Sequence, residues 1–180
     1  MITNTRGATI DVFNLSIDDI DIEDAIVALP NICRYGGRIH KHYSVAQHAV
    51  ELSQWLRKKG LGYLSPLALL HDACESYIGD IIYPIKTQIP IFEELEHKIT
   101  ELFYEKYGVD KRLHIEFDKY DKNIVVNEMK AVGLYDLDKH LITHLNGLSD
   151  LTIEVKPINE VRALYCKELI KVFGLKGVSI

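Results

Sequence analysis

The chain has 180 residues, 47% apolar and 26% charged, with 21 Lys and Arg against 26 Asp and Glu for a formal net charge of −5. That balance describes a folded globular chain of one-domain size, excludes a disordered polymer, and gives no bulk attraction to nucleic acid polymers. No apolar run approaches the roughly 18 residues of a spanning helix, the first residues lack the basic-then-apolar order of a secretory leader, and Cys33, Cys74 and Cys166 form no CxxC pair, so the expectation is one domain over 1–180 in a reducing, cytoplasmic setting without a membrane.

The first residues alternate loosely. Ala8 to Phe13 reads as a short strand paired back on Ile2 to Thr5 around Arg6-Gly7. A helix is expected over Ile22 to Leu29, with Asp21 as cap, Asp24 as its capping-box partner and Pro30 as its end. A loop from Asn31 to Tyr43 then gathers Arg34, Arg38, His40, Lys41 and His42 around Gly36-Gly37. Ser44 and Gln47 form a capping box for a helix with Val45, Ala49, Leu52, Trp55 and Leu56 at helical spacing, ending near Lys58-Lys59-Gly60. Ser65-Pro66 starts another helix, apolar over most of its surface, that should run to about Tyr77 before Gly79-Asp80 breaks it. An amphipathic helix spans Ile91 to Tyr107 up to Gly108. Asp118 to Asn123 reads as a polar turn, Ile124 to Tyr135 as helix, Leu151 to Val155 as a short strand, and Asn159 to Phe173 as a final helix. The fold class is mostly α: a helical bundle with short strands near each end.

Chemistry concentrates in two places. His48 falls between Val45 and Leu52 on the inward face of its helix, and His71-Asp72 ends an apolar helical stretch with Glu75 one turn later. Two helices turning imidazoles and carboxylates toward a shared interior is how a bundle builds a metal site. Burying that much polar character costs several kcal/mol unless a metal or ion pairs compensate. Each residue alone is also compatible with an ordinary core or surface position.

Ordered blocks carry a resemblance. They are Ile32-Cys33-Arg34-Tyr35-Gly36-Gly37, then Tyr43 to Val50, then Leu69 to Asp80, followed by Pro84-Ile85-Lys86 and the Leu95-Glu96 helix. The chain resembles the HD-domain metal-dependent phosphohydrolases, most strongly over 21–107, in the branch holding bacterial 5′-deoxynucleotidases and phage-encoded HD hydrolases, among them the phage dATP triphosphohydrolases. The resemblance implies an HD-domain helical bundle with His48, His71 and Asp72 as metal ligands. It implies Glu75 and Asp80 as catalytic acids, with Arg34 and Lys86 in the substrate region. The family's fourth ligand is an Asp opening a later helix. Here Val126-Asn127-Glu128-Met129 places Glu128 at that position, a departure whose extra methylene would shift the ion or require a backbone adjustment. Asp118 and Asp121 are the less favoured substitutes, since they fall in the polar turn.

Two imidazoles and two carboxylates suit Mn²⁺, Co²⁺, Zn²⁺ or Fe²⁺ better than Mg²⁺. The metal would lower the pKa of bound water and draw charge from phosphorus. Glu75 would orient the water or relay its proton, and Arg34 would pair with phosphate. Lys41, His42 and Lys86 would assist electrostatically, while Gly36 and Gly37 would either let the backbone approach the nucleotide or simply form a turn. The expected reaction is hydrolysis of a deoxynucleotide 5′-phosphate ester, leaning to a dNTP triphosphohydrolase that releases nucleoside and triphosphate. A nucleotidase acting on dNMPs and a nucleotide-binding protein with weakened catalysis are the alternatives. Relatives assemble, so a homodimer or larger homo-oligomer is implied.

Overall fold

The computed structural model describes residues 1–138, 140 and 142–178, so the expected span of 1–180 ends outside them. Ile2–Thr3 (β1) pairs antiparallel with Thr9–Ile10 (β2), Ile2 opposite Ile10. The turn between them is held by Asn4, whose side chain accepts from the Arg6 and Ala8 amides. The strand stops at Ile10 because Asp11 caps a 3-10 turn over Val12–Asn14. Helix α1 (Ile22–Ala28) is capped by Asp21, which accepts from the Glu23 amide at 3.0 Å. Asp24 is not its capping-box partner. It is buried and accepts from the Thr5 amide at 2.7 Å and the Tyr77 hydroxyl at 2.8 Å, which ties hairpin and helix to the core.

Ser44 caps α2 (Val45–Lys58), accepting from the Gln47 amide at 3.2 Å. The second half of the capping box does not form. The Gln47 side chain donates instead to the Glu154 carbonyl at 2.7 Å and accepts from the Lys156 amide at 3.1 Å. Residues 151–155 are therefore pinned to α2 as extended chain and join no sheet among the described residues, contrary to the expected C-terminal strand.

The helix expected from Ser65 to Tyr77 is divided. α3 (Ser65–Leu70) gives way to a turn over residues 71–74 before α4 (Glu75–Ile78). Ala73 and Glu75 bond back to Leu70 and Asp72, so the chain tightens to three-residue hydrogen bonding there. That tightening turns His71 and Asp72 out of the apolar stripe. After α5 (Tyr83–Lys86), α6 (Pro90–Tyr107) and α7 (His114–Val132) each close on a left-handed glycine, Gly108 and Gly133. The polar turn expected over 118–123 is thus the middle of α7. Tyr135–Asp138 (α8) and Ile158–Phe173 (α9) complete the bundle.

α2 is the central element, buried along most of its length between α3, α7 and α9. Leu52, Leu56, Leu67, Leu69, Leu70, Phe103, Phe117 and Tyr165 form the deepest packing. The Tyr165 hydroxyl donates to the Leu69 carbonyl at 2.7 Å and fixes α9 against α3. Among the described residues no helix is long and apolar enough to cross a membrane.

Candidate metal centre

Three elements meet at the end of α3. α2 brings His48, fully buried; the 71–74 turn brings His71; α7 brings Asp121. His48 Nε2 lies 3.1 Å from His71 Nε2 and 3.1 Å from Asp121 Oδ1. Asp121 Oδ1 lies 3.4 Å from His71 Nε2. Donors on a shell of about 2.0–2.2 Å radius stand about 3–3.6 Å apart in tetrahedral or octahedral arrangement, so these spacings fit one metal ion. Asp72 Oδ2 is 3.2 Å from His71 Nε2 and 3.9 Å from His48 Nε2, on the same two imidazoles.

The outer nitrogens decide which way the histidines present themselves. His71 Nδ1 faces the carbonyls of Leu67 and Ala68, each at 3.2 Å. His48 Nδ1 faces Glu128 Oε1 at 2.5 Å. Carbonyls and carboxylates only accept, so Nδ1 carries the hydrogen in both rings. Both Nε2 atoms then aim into the centre, where two carboxylates also converge. Two imidazole lone pairs at 3.1 Å repel unless a cation sits between them, either a metal ion or added protons. Burial disfavours a charged His71, yet the charges of Asp72 and Asp121 override it and hold the ring well above the ordinary histidine range. Asp121 is likewise driven well below the carboxylate range, because His71 and His48 overcome the cost of its burial.

Glu128 does not occupy the fourth-ligand position. It lies against Nδ1 of His48, the edge of the ring opposite the centre, and Asp121 supplies the carboxylate on the Nε2 side. The physical reason is the continuous α7, which carries Asp121 and Glu128 on one face two turns apart. Glu128 is fully buried. Burial works against its charge, but Arg34, then His48 and a hydrogen bond from Tyr35, hold its carboxyl down to about 2.

Arg34 lines the same space. Its Nη1 is 3.3 Å from Asp72 Oδ2, its Nη2 is 3.4 Å from Glu128 Oε2, and its Nε is buried without a partner. Glu75 opens α4 and is buried, with Oε2 unpartnered; burial first, then the charges of Asp72 and Asp80, push its carboxyl well above the usual range. Asp80 is pushed up by partial burial. Lys86 is held by Glu96 Oε1 at 2.5 Å. His42 bonds through Nε2 to the Pro30 carbonyl at 3.0 Å, and Lys41 is exposed; neither is drawn into the cluster by a hydrogen bond or ion pair. Gly36 has φ +60, and a Cβ there would meet Ile82 Cγ2 at 3.2 Å, so the glycine lets the loop close on that side chain. Gly37, at φ +70, has open space around it. Tyr35 and Tyr43, which sequence reasoning did not single out, both donate to Glu128.

No family model matches the chain. It is 39% identical over 119 residues to the uncharacterized protein YfdR of Escherichia coli strain K12, a match covering 66% of this chain and 65% of that protein. The chain therefore spans just under two thirds of that relative's length. It is 28% identical to an uncharacterized protein of Rhodobacter capsulatus, over an alignment covering 88% of each chain. The conclusion that stands on geometry is a mostly helical bundle whose His48, His71 and Asp121 are placed to coordinate a metal ion.

Proposed function

We propose that the chain is a metal-dependent phosphohydrolase of the HD type that cleaves deoxynucleotide 5′-phosphate esters. The observation that carries this is the shared orientation of His48 and His71, each anchored outward through Nδ1 so that both Nε2 atoms face Asp121 and Asp72. His48, His71, Asp72 and Asp121 would hold the ion, and this mixed nitrogen and oxygen set suits Mn²⁺, Co²⁺, Zn²⁺ or Fe²⁺. When bound, such an ion lowers the pKa of a coordinated water and draws charge from a phosphoryl oxygen.

The other groups divide the remaining work. Arg34, held in this space by Asp72 and Glu128, would pair with a phosphate oxygen. Burial pushes the Glu75 carboxyl well above the usual range, and Glu75 would pass a proton to the departing 5′-oxygen. Asp80 shares the same acidic pocket and helps keep that proton on Glu75. Asp121, beside both Nε2 atoms, offers the carboxylate that Glu128 was expected to provide, which supports the catalytic reading over the binding-only alternative. We retain the lean to a triphosphohydrolase over a monophosphatase, in a cytoplasmic homo-oligomer that light scattering would test.

Product analysis separates the readings. Protein reconstituted with Mn²⁺ or Co²⁺ is incubated with each deoxynucleoside mono-, di- and triphosphate, and the products are resolved by chromatography. Triphosphate release from a dNTP supports the triphosphohydrolase, and orthophosphate release from dNMPs supports the nucleotidase. Stoichiometric metal with no turnover on any of them overturns the nucleotide reading.

A further inference from the structure

Glu128 is the most deeply committed carboxylate in the molecule's candidate site. Oε1 lies 2.5 Å from His48 Nδ1 and accepts from the Tyr43 hydroxyl at 3.1 Å. Oε2 accepts from the Tyr35 hydroxyl at 2.7 Å and faces Arg34 Nη2 at 3.4 Å. A fully buried carboxylate is costly unless its lone pairs are met, and here four groups meet them. Filling space does not require this: Val126 and Met129 on the same helix are buried apolar residues. An ionised residue at 128 gains its advantage through orientation.

Two of the four partners belong to the candidate machinery. His48 faces the metal position, and Arg34 also reaches Asp72. Tyr35 adds a third connection. It is a non-glycine residue at φ +61, a left-handed conformation that costs about 1–2 kcal/mol, and it is followed by Gly36 and Gly37 in the same region. Its hydroxyl on Glu128, together with the Arg34 guanidinium on the same carboxylate, anchors this strained loop to α7. Replacing the carboxylate would free the imidazole, the arginine and the loop together.

We propose that Glu128 is a positioning residue that holds His48 with Nε2 toward the metal and, through Tyr35 and Arg34, sets the 34–37 loop over the phosphate position. This inference rests on the metal reading of the site.

The test uses the full chain and Glu128→Gln, which keeps the side chain's size and removes its charge. Wild-type affinity for Co²⁺ and Zn²⁺ is measured first, and a wild type that binds neither overturns the metal reading itself. Given wild-type binding, Glu128→Gln should bind Co²⁺ about 10–100-fold more weakly, as losses behind a ligating histidine typically do, with an unchanged circular dichroism spectrum. Nitrogen-edited spectra of the Zn²⁺-loaded wild type should show a slowly exchanging, downfield Nδ1–H of His48 that moves upfield in the variant. Tyr35→Phe should keep wild-type metal affinity and bind inorganic tripolyphosphate about tenfold more weakly, the loss of one hydrogen bond to a charged group. Unchanged Co²⁺ affinity in folded Glu128→Gln, or metal on Nδ1 of His48, overturns the proposal. Should Glu128→Gln not fold, the wild-type Nδ1–H signal and the Tyr35→Phe anion affinity decide: absence of the first with no change in the second overturns it.

Discussion

Metal should stabilise this fold by an amount set by its binding to the native state alone, because the ligands are far apart in sequence. His48 and His71 are 23 residues apart, and Asp121 follows 50 residues after His71. An unfolded chain holds no such site, so metal binds the native state alone and its binding free energy adds to stability. At free metal 100 times its dissociation constant the gain is about 2.7 kcal/mol. For a chain of this size each kcal/mol moves the midpoint about 2–4 °C, so the expected rise is about 5–11 °C. Asp121→Ala removes an anionic donor 3.1 Å from one imidazole and 3.4 Å from the other. Losing a ligand should weaken binding by at least the ~100-fold that outer contacts can cost. The same metal concentration then sits near the dissociation constant, and the gain drops to about 0.4 kcal/mol, or roughly 1 °C. The assay is thermal unfolding with Mn²⁺ or Co²⁺ buffered at fixed free concentration, reversed by chelator. An Asp121→Ala protein that gains as much as the wild type would refute the ligand assignment. A wild type that binds metal stoichiometrically without any shift would refute the claim that the folded state alone assembles the site.

Three further outcomes follow from individual contacts. Phe117 is buried, with its ring edge-on to His71 at 5.0 Å, so Phe117→Ala should cost about 3–5 kcal/mol in urea unfolding and weaken metal binding as His71 loosens. Tyr165→Phe deletes the hydroxyl that α9 places on the Leu69 carbonyl; denaturant titration should show a loss of about 1–2 kcal/mol, with metal affinity as in the wild type. Glu75→Gln removes the proton-carrying group but none of the four metal-facing donors, and steady-state kinetics should find kcat lower by about 10²–10⁴ with metal content intact.

Where local signals agreed with burial, the fold was legible. Ser44 caps α2, and the glycine stops at 108 and 174 close α6 and α9 where spacing predicted. Two failures share one cause: the side chain's commonest local task is overridden by a distant partner. Gln47 reads as a capping-box residue but reaches Glu154 and Lys156, more than 100 residues away. Asp24 reads as part of a helix cap but serves the Thr5 amide and the Tyr77 hydroxyl. The break after Leu70 left no mark in composition, since Leu70 to Cys74 contains neither glycine nor proline.

The candidate site shows the same limit more sharply. Phe117, Asp121, Ile124 and Glu128 are spaced by 4, 3 and 4, which puts them on one helical face. Periodicity reads such a stripe only when it is apolar. Here two of its four members are ionised, and Asp118 and Lys122, paired i to i+4 on the outer face, made the segment look like a solvated turn. Once α7 is continuous, both acids point at His48, and one imidazole offers each a separate nitrogen. Asp121 takes Nε2 and Glu128 takes Nδ1. What distinguishes the two nitrogens is His71, whose Nε2 stands 3.1 Å from Nε2 of His48. A metal between the rings must therefore lie on the Asp121 side, and an acid at 128 reaches it through the ring and through Arg34, not as a ligand.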